Sequence, residues 1–375
     1  MENYDLVATC LFGVEGVAAD EFRRMGFEDV RTENGRVMLS GDGNMLARAN
    51  ICSRFCERIM INVGEFTAVT FTELFDGVKS LPWEKYIGRE DAFPVKGWSV
   101  DSKLFSIPDC QSIIKKAIVE RLKQKYGISY FSETGPEYKI RFSIHKNKVT
   151  MMIDTSGEGL HKRGYRRNSN TAPLKETLGA AMCDLARIYP DTVFYDPFCG
   201  SGTLLIESAL MATNIAPGLR RSFAAERFGF LDGRIWREER TRAQDLIRKN
   251  IAFKAHGYDI DPDCVELTLA NARKAGVEKY VEASVRDIRD FTPVNERCLT
   301  VTNPPYGERL LDVREAEKLY EIMGNRFITG QGQKYFIISP HDEFEKFFGR
   351  TADKRRKLYN GMIKCQLYMY FKSQR

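Results

Sequence analysis

Histidine is scarce in this chain, with four residues at positions 145, 161, 256 and 341. None stands near a second His or a Cys pair at zinc-site spacing, and Cys52 and Cys56 have no such partner pair, so a metal centre is not expected. The cysteine count is nine, an odd number without a compact spacing pattern, which argues against a disulfide framework and for reduced, structural thiols. No apolar run approaches the roughly 18 residues that span a bilayer. The start, MENYDLVATC, has no basic-then-apolar export pattern, which leads us to expect a cytoplasmic, membrane-free protein. Charge of one sign is also in short supply: the net +6 permits nucleic-acid binding without requiring it.

What is present is a two-domain length, 375 residues, with ordinary hydrophobic (43%) and charged (29%) content for a globular protein. Its organising stretch is Val193 to Glu207, VFYDPFCGSGTLLIE. The first residues suit a strand buried on both faces. Asp196, Pro197 and the small-residue turn Phe198-Cys199-Gly200-Ser201-Gly202 follow, and Thr203 opens an apolar helix. Strand, glycine turn and helix start let a ligand approach bare backbone. A dinucleotide fingerprint needs a third small residue where this chain has Leu205, which disfavours nicotinamide and flavin. The stretch resembles motif I of class I S-adenosylmethionine-dependent methyltransferases, whose aspartate and glycine turn hold the amino-acid end of the cofactor.

In chain order, a strand from Tyr4, a helix Val17 to Met25, strands around Asn34-Gly35, a short helix near Asn44 and a strand from Arg58 to Val63 make one α+β unit. A second follows, with helix Phe71 to Val78, strand Phe93 to Val100, a long amphipathic helix Pro108 to Tyr126, and strands Tyr138 to Ile144 and Val149 to Asp154. Lys139, Arg141 and the turn lysines form either a basic rim or a solvated sheet face. Ser156 to Arg167, SGEGLHKRGYRR, reads as an interdomain linker before Pro173 and the helix Leu174 to Arg187. Arg163, Arg166 and Arg167 around Tyr165 also suit phosphate contact with base stacking, or are incidental charge in a linker. Between Asn214 and Trp236 an insertion interleaves Arg220, Arg221 and Arg227 with Phe223, Phe228 and Phe230. That pattern fits single-stranded RNA contact or aromatic cover for the sheet.

The remainder reads as a doubly wound domain: a helix from Glu238 to Phe253, the strand end Tyr258-Asp259-Ile260-Asp261-Pro262, a strand Val281 to Asp287, and Leu299 to Thr302 ending in Asn303-Pro304-Pro305-Tyr306. Helix Ala316 to Phe327, strand Tyr335 to Ser339 and two terminal strands complete it. An acidic residue at the second strand end takes ribose hydroxyls, although Asp259 lies far beyond the usual spacing of about 20 residues, a delay the insertion explains. Asp261 instead suits the cap of a helix starting at Pro262.

The tetrapeptide carries the chemistry. An exocyclic amine is a poor nucleophile because its lone pair is delocalised into the ring, so transfer needs in-line placement and acceptors for its protons. Asn303 and the Pro304 carbonyl supply two acceptors, the prolines fix the backbone, and Tyr306 offers a face for an extruded base. N-P-P-Y fixes a planar amine or amide nitrogen as nucleophile and leaves guanine N2 and adenine N6 both open.

Taken together, SGEGLHKRGYR, APLKETLGAAM, DPFCGSGTLLIE, Ala216-Pro217-Gly218-Leu219 and NPPYGERL resemble the THUMP-domain RNA methyltransferases, above all those modifying guanine N2 of 23S rRNA. The resemblance implies a ferredoxin-like part (1–62), a THUMP RNA-binding domain (63–156), a linker (157–172) and an α/β class I, Rossmann-like methyltransferase domain (173–375) with a seven-stranded mixed sheet. It implies S-adenosyl-L-methionine as cofactor, held by Thr177, Asp196, Pro197, Phe198, Cys199, Gly200, Ser201, Gly202, Thr203, Asp259, Ile260, Asp261, Asp287, Ile288 and Asn303. Asn303, Pro304, Pro305 and Tyr306 would be catalytic. RNA, foremost 23S rRNA, would meet Lys139, Arg141, Arg163, Arg166, Arg167, Arg220 and Arg221. Enterobacterial relatives carry a second methyltransferase domain, whereas this sequence shows one.

Overall fold

The computed structural model describes residues 2–166, 174–293, 297–306, 312–327 and 332–372. Two seven-stranded sheets organise these residues. The first contains β1 (Tyr4–Cys10), β2 (Val30–Glu33), β3 (Arg36–Gly41), β4 (Cys56–Thr67), β5 (Val95–Val100), β6 (Ile140–His145) and β7 (Lys148–Asp154), in the order β2-β3-β1-β4-β7-β6-β5. Helices α1 (Glu15–Arg24), α2 (Gly43–Cys52), α3 (Phe71–Ser80) and α4 (Ile107–Tyr126) pack with it. Local signals set their ends. Asp42 caps α2, a Thr70–Glu73 capping box starts α3, and Gly127 at φ 65° ends α4.

A boundary at residue 62 falls inside β4. This 12-residue strand pairs with β1 on one side and β7 on the other, so the two α+β units share one sheet. The register slips between Asn62 and Gly64, where the first unit gives way to the second.

The second sheet contains β8 (Val193–Asp196), β9 (Lys254–Asp259), β10 (Val281–Val285), β11 (Cys298–Thr302), β12 (Gln333–Ser339), β13 (Lys354–Asn360) and β14 (Ile363–Tyr370). Their order is β10-β9-β8-β11-β12-β14-β13; the first five run parallel, and β13 and β14 form the antiparallel hairpin. The strand order therefore reverses between β8 and β11, and a crevice beyond the carboxyl ends of those strands is where a doubly wound sheet binds ligands.

Alternation divides the core by face. Phe194, Val301 and Phe336 join the larger apolar cluster with α5 (Glu176–Ala186) and α6 (Thr203–Ala212). Tyr195, Tyr335 and Ile337 join a smaller cluster on the other face, covered by α9 (Val313–Arg326) and α10 (Phe344–Phe348). The larger cluster also contains Leu6, Ile59 and Ile114, so a continuous core joins the two sheets.

The insertion forms much of that junction. Phe228 stacks on Tyr138 at 4.2 Å, Phe230 meets Tyr86 edge-on, and Phe223 stacks on Trp236. Phe223 and Phe228 are buried in these contacts, which favours the second of the two readings, aromatic cover, over single-strand contact. Helix α7 (Arg234–Asp245) starts and stops earlier than the expected Glu238 to Phe253. It leaves room for a return turn in which Arg248 N donates to the Thr213 carbonyl, 2.7 Å, and Asn250 takes φ 57°. Arg48 of α2 clasps the buried Glu239 of α7 with two hydrogen bonds of 2.8 Å.

Candidate active site

At the end of β8 the backbone turns sharply. Gly200 (φ 52°) and Gly202 (φ 80°) both occupy the left-handed region. Two side chains of α8 (Pro262–Ala275) hold the turn: Thr268 Oγ1 donates to the Gly200 carbonyl at 2.9 Å and Asn271 Nδ2 to the Ser201 carbonyl at 3.0 Å. A Cβ on Gly200 would meet nothing within 4 Å, so this turn offers bare backbone to open space. Cys199 is buried where Gly257 leaves room for its side chain, consistent with a residue kept for small size.

Asp196 is buried. Its Oδ1 accepts from Thr302 Oγ1 at 2.7 Å and from Phe198 N at 3.2 Å. Burial pushes its carboxyl up to about 7; the two hydrogen bonds oppose that shift and the nearby Asp259 charge adds to it. On the next strand, Asp259 accepts from Gly200 N (2.9 Å) and Asp261 N (3.1 Å), which ties it to the glycine turn. Beside it Ile260 is 69% exposed, an unusual position for such a side chain. Asp261 caps α8 by accepting from Asp263 N at 2.9 Å. Asp287, two residues past β10, accepts from Arg289 N at 2.8 Å, and Ile288 beside it is buried.

Asn303 follows β11 directly. Its Oδ1 is buried and has no hydrogen-bond partner among the described residues. Tyr306 is only 5% exposed, and its hydroxyl accepts from Asn360 Nδ2 at 2.8 Å. The ring is therefore not displayed as a free stacking face; it anchors the tetrapeptide to the end of β13. Residues 307–311 lie outside the described residues.

The structure thus gathers Asp196, Pro197 to Thr203, Asp259 to Asp261, Asp287 and Asn303 to Tyr306 along the carboxyl edge of four neighbouring strands, β10-β9-β8-β11. The Thr177 side chain is engaged elsewhere. It is buried, and its hydroxyl donates to Glu57 of β4 at 2.6 Å. Glu57 also accepts from Lys175 Nζ, which makes this pair of contacts a bond between the two halves of the chain.

Several residues expected to touch RNA are engaged internally. Arg163, with 2% of its side chain exposed, lies against Glu207 at 3.4 Å and donates to the Leu160 carbonyl at 2.8 Å. Tyr165 donates to the same Glu207, so neither offers a surface. Arg166 pairs with Glu176 and donates to Thr203 Oγ1 at 3.0 Å, buttressing the start of α6. Arg221 donates to the Glu158 and Gly159 carbonyls. Burial lowers its guanidinium to about 10, with Arg163 adding to the effect. The 157–166 segment is consequently a packed strap and not a free linker. Arg220 is exposed and reaches the Lys274 carbonyl; Lys139 pairs with Glu137 and Arg141 with Asp154. Arg167 lies outside the described residues.

Sequence reasoning missed Glu57, Glu207, Thr302 and Asn360. Thr302 was open to detection, standing one residue before the tetrapeptide; the other three are distant in sequence and matter only through folding.

Comparison with known proteins follows the same division of the chain. Residues 5–60 match the RlmL ferredoxin-like domain, 68–154 the THUMP domain, and 163–369 the RMKL-like methyltransferase domain. The chain belongs to the RlmL-like family of S-adenosylmethionine-dependent RNA methyltransferases. It is 41% identical to YpsC of Bacillus subtilis, named as an RNA methyltransferase, over 100% of this chain and 98% of that protein. It is 32% identical to the ribosomal RNA large subunit methyltransferase K/L of Cellvibrio japonicus, over 97% of this chain and 50% of that protein. The chain thus spans about half the length of the K/L relatives. Among solved structures, the methyltransferase SMU.472, complexed with S-adenosylhomocysteine, superposes with TM-score 0.94 at 42% identity, covering 100% of this chain and 99% of that one. A Listeria monocytogenes structure whose name reads N6-adenine-specific DNA methylase superposes with TM-score 0.93 at 42% identity, covering 99% and 97%.

The site's chemistry fits S-adenosylmethionine, the cofactor of this family. The open Gly200 turn and Asp196 suit an ammonium-bearing amino-acid end, Asp259 keeps lone pairs beyond its two backbone donors, and the exposed Ile260 offers an apolar face.

Proposed function

We propose that this protein methylates an exocyclic amine of RNA, and that the amine is guanine N2 of 23S rRNA. The observation that carries the amine reading is Asn303 Oδ1 at the end of β11, buried and without a hydrogen-bond partner among the described residues. A buried acceptor without a donor costs about 1–3 kcal/mol, and an amine N–H of a bound base is the donor that removes that cost. The Pro304 carbonyl, held by the two prolines, receives the second proton direction. When bound, S-adenosylmethionine supplies an electrophilic methyl group on its sulfonium. Asp196 and the 197–203 turn hold the amino-acid end, Asp259 the ribose, and Ile260, Asp287 and Ile288 the adenine. No strong base is needed, because the nitrogen becomes cationic on alkylation and then loses its proton readily. Tyr306, fixed through Asn360, keeps Asn303 in place.

The domain plan that goes with this reading is a ferredoxin-like part through about residue 62, a THUMP domain to 156, the packed strap, and the methyltransferase domain from 173 onward. The names of the K/L relatives support large-subunit rRNA as substrate, and guanine N2 follows from the sequence resemblance. Adenine N6 is the second reading, favoured by the shared N-P-P-Y and by the name of the Listeria structure. Digestion of rRNA from a strain lacking the gene, followed by mass spectrometry of nucleosides, separates them. Loss of N2-methylguanosine supports the first reading; loss of N6-methyladenosine supports the second.

A further inference from the structure

Among the described residues, one face of the first sheet has no helix across it and is bordered by a helix only at Gln111 of α4. On it Val7, Met60 and Met152 form an apolar cluster separate from the main core, with Met38 at its edge. Strand register places Met38, Val7 and Met60 in one row, and Met152 lies diagonally beyond Met60, paired with Asn62. Arg141 stands opposite Met152 on β6, and Lys96 opposite Arg141 on β5. The face is a groove of about 1160 Å³.

Its charge is incompletely neutralised. Arg58 and Arg141 share one buried carboxylate, Asp154, at 2.6 and 3.4 Å. Arg141 Nε is buried and has no hydrogen-bond partner among the described residues. The Arg141 side chain is still 26% exposed, and with the exposed Lys96 beside it the groove presents positive charge to an anion. Aromatic rings bound the groove at both ends: Trp98 is 50% exposed on β5 and Phe12 is 54% exposed just past β1.

A chain of contacts joins the groove's end to the active site. Phe12 meets Tyr359 edge-on at 6.0 Å. The next residue, Asn360, donates to the Tyr306 hydroxyl. Arg356 Nη2, on the same β13, donates to the Gly13 carbonyl at 2.8 Å, which fixes the groove's end against the methyltransferase sheet.

We propose that this open sheet face docks single-stranded RNA, with a base stacked on Trp98, phosphates on Lys96 and Arg141, and the strand running past Phe12 toward Asn303. Exposed rings need unpaired bases, and phosphates need the cations between them, so a duplex fits neither feature well. The proposal rests on the RNA methyltransferase reading and adds the route by which substrate reaches that site.

Trp98 provides its own probe, since the other two of the three tryptophans, Trp83 and Trp236, are buried. The full chain is titrated with a single-stranded oligoribonucleotide and with a duplex of equal length, following intrinsic fluorescence. The single strand should quench emission saturably. Trp98→Leu should abolish the quench and weaken binding by about 5- to 100-fold, the loss of one stacked base. Lys96→Glu should weaken binding while leaving S-adenosylhomocysteine affinity and thermal melting unchanged. Methyl incorporation into rRNA is measured on the same preparations. If the parent methylates RNA but neither substitution alters RNA affinity, this face is excluded and the enzymatic reading stands. A quench without any methylation supports the face and counts against that reading. Equal quenching by duplex, or by an acidic polypeptide but not RNA, overturns the proposal.

Discussion

Thr302 and Asp196 meet at 2.7 Å across the junction of β11 and β8, joining the residue before the tetrapeptide to the acid that ends the motif I strand. In the proposed reaction this one contact positions both the cofactor side and the substrate side of the site. Thr302→Val removes the donor while keeping the shape. Since a hydrogen bond to a charged group contributes about 1.5–3 kcal/mol, S-adenosylmethionine affinity should fall by about tenfold or more, measured by calorimetry. Unchanged affinity would mean that the bond does not orient Asp196.

Asp196 also makes a pH prediction. Its folded-state carboxyl is raised to about 7, so the folded protein holds this proton more tightly than the unfolded chain does. The group's stabilising contribution is therefore complete at acid pH, below the ordinary carboxyl range, and is lost as pH rises toward about 7. Ligand affinity runs the other way, because an ammonium group pairs with the carboxylate. S-adenosylmethionine binding should weaken as pH falls below about 7, with close to one proton released on binding near pH 6. Calorimetry in buffers of different ionisation enthalpy reads both. A flat profile in the parent, or an equal slope in Asp196→Asn, would remove Asp196 from the binding step.

Tyr306→Phe keeps the ring, yet it should be more damaging than a role in stacking alone implies. Removing the hydroxyl leaves the buried Asn360 Nδ2 without its 2.8 Å acceptor. The cost should be about 1–3 kcal/mol, seen as a lower melting temperature. The double variant Tyr306→Phe, Asn360→Leu should recover part of it. Wild-type melting in the single variant would show that the bond contributes nothing.

Arg163 tests the correction to the strap. Arg163→Met strands Glu207 in the core, and breaking a buried pair typically costs about 3–5 kcal/mol. Thermal melting should fall sharply, while in the fraction that remains folded the salt dependence of RNA binding stays that of the parent. A reduced salt slope with normal melting would return Arg163 to the RNA surface.

Much of the methyltransferase half was legible because its signals are local. The β8 strand, the glycine turn and the start of α6 occupy one continuous stretch, and Asn303 directly follows a strand of five buried residues. Arg163 and Tyr165 were misread because basic and aromatic residues look alike whether they meet phosphate or a buried glutamate. Their partner, Glu207, lies 44 residues from Arg163. The Thr177 contact was hidden for the same reason: its acceptor, Glu57, is 120 residues away on the other sheet. The shared sheet was hidden because this stretch reads as a strand ending at Val63, whereas β4 runs on to Thr67 and pairs with β1 and β7.

The most direct test of the central claim is the product nucleoside formed on protein-free 23S rRNA by the purified protein and S-adenosylmethionine, for the parent and Asn303→Ala. The account predicts N2-methylguanosine from the parent. It predicts about 10²- to 10³-fold slower turnover from Asn303→Ala, with cofactor affinity within a few-fold, because one preorganised acceptor has been removed. Full turnover in Asn303→Ala would contradict the mechanism, and N6-methyladenosine as the parent's product would contradict the assignment of guanine N2.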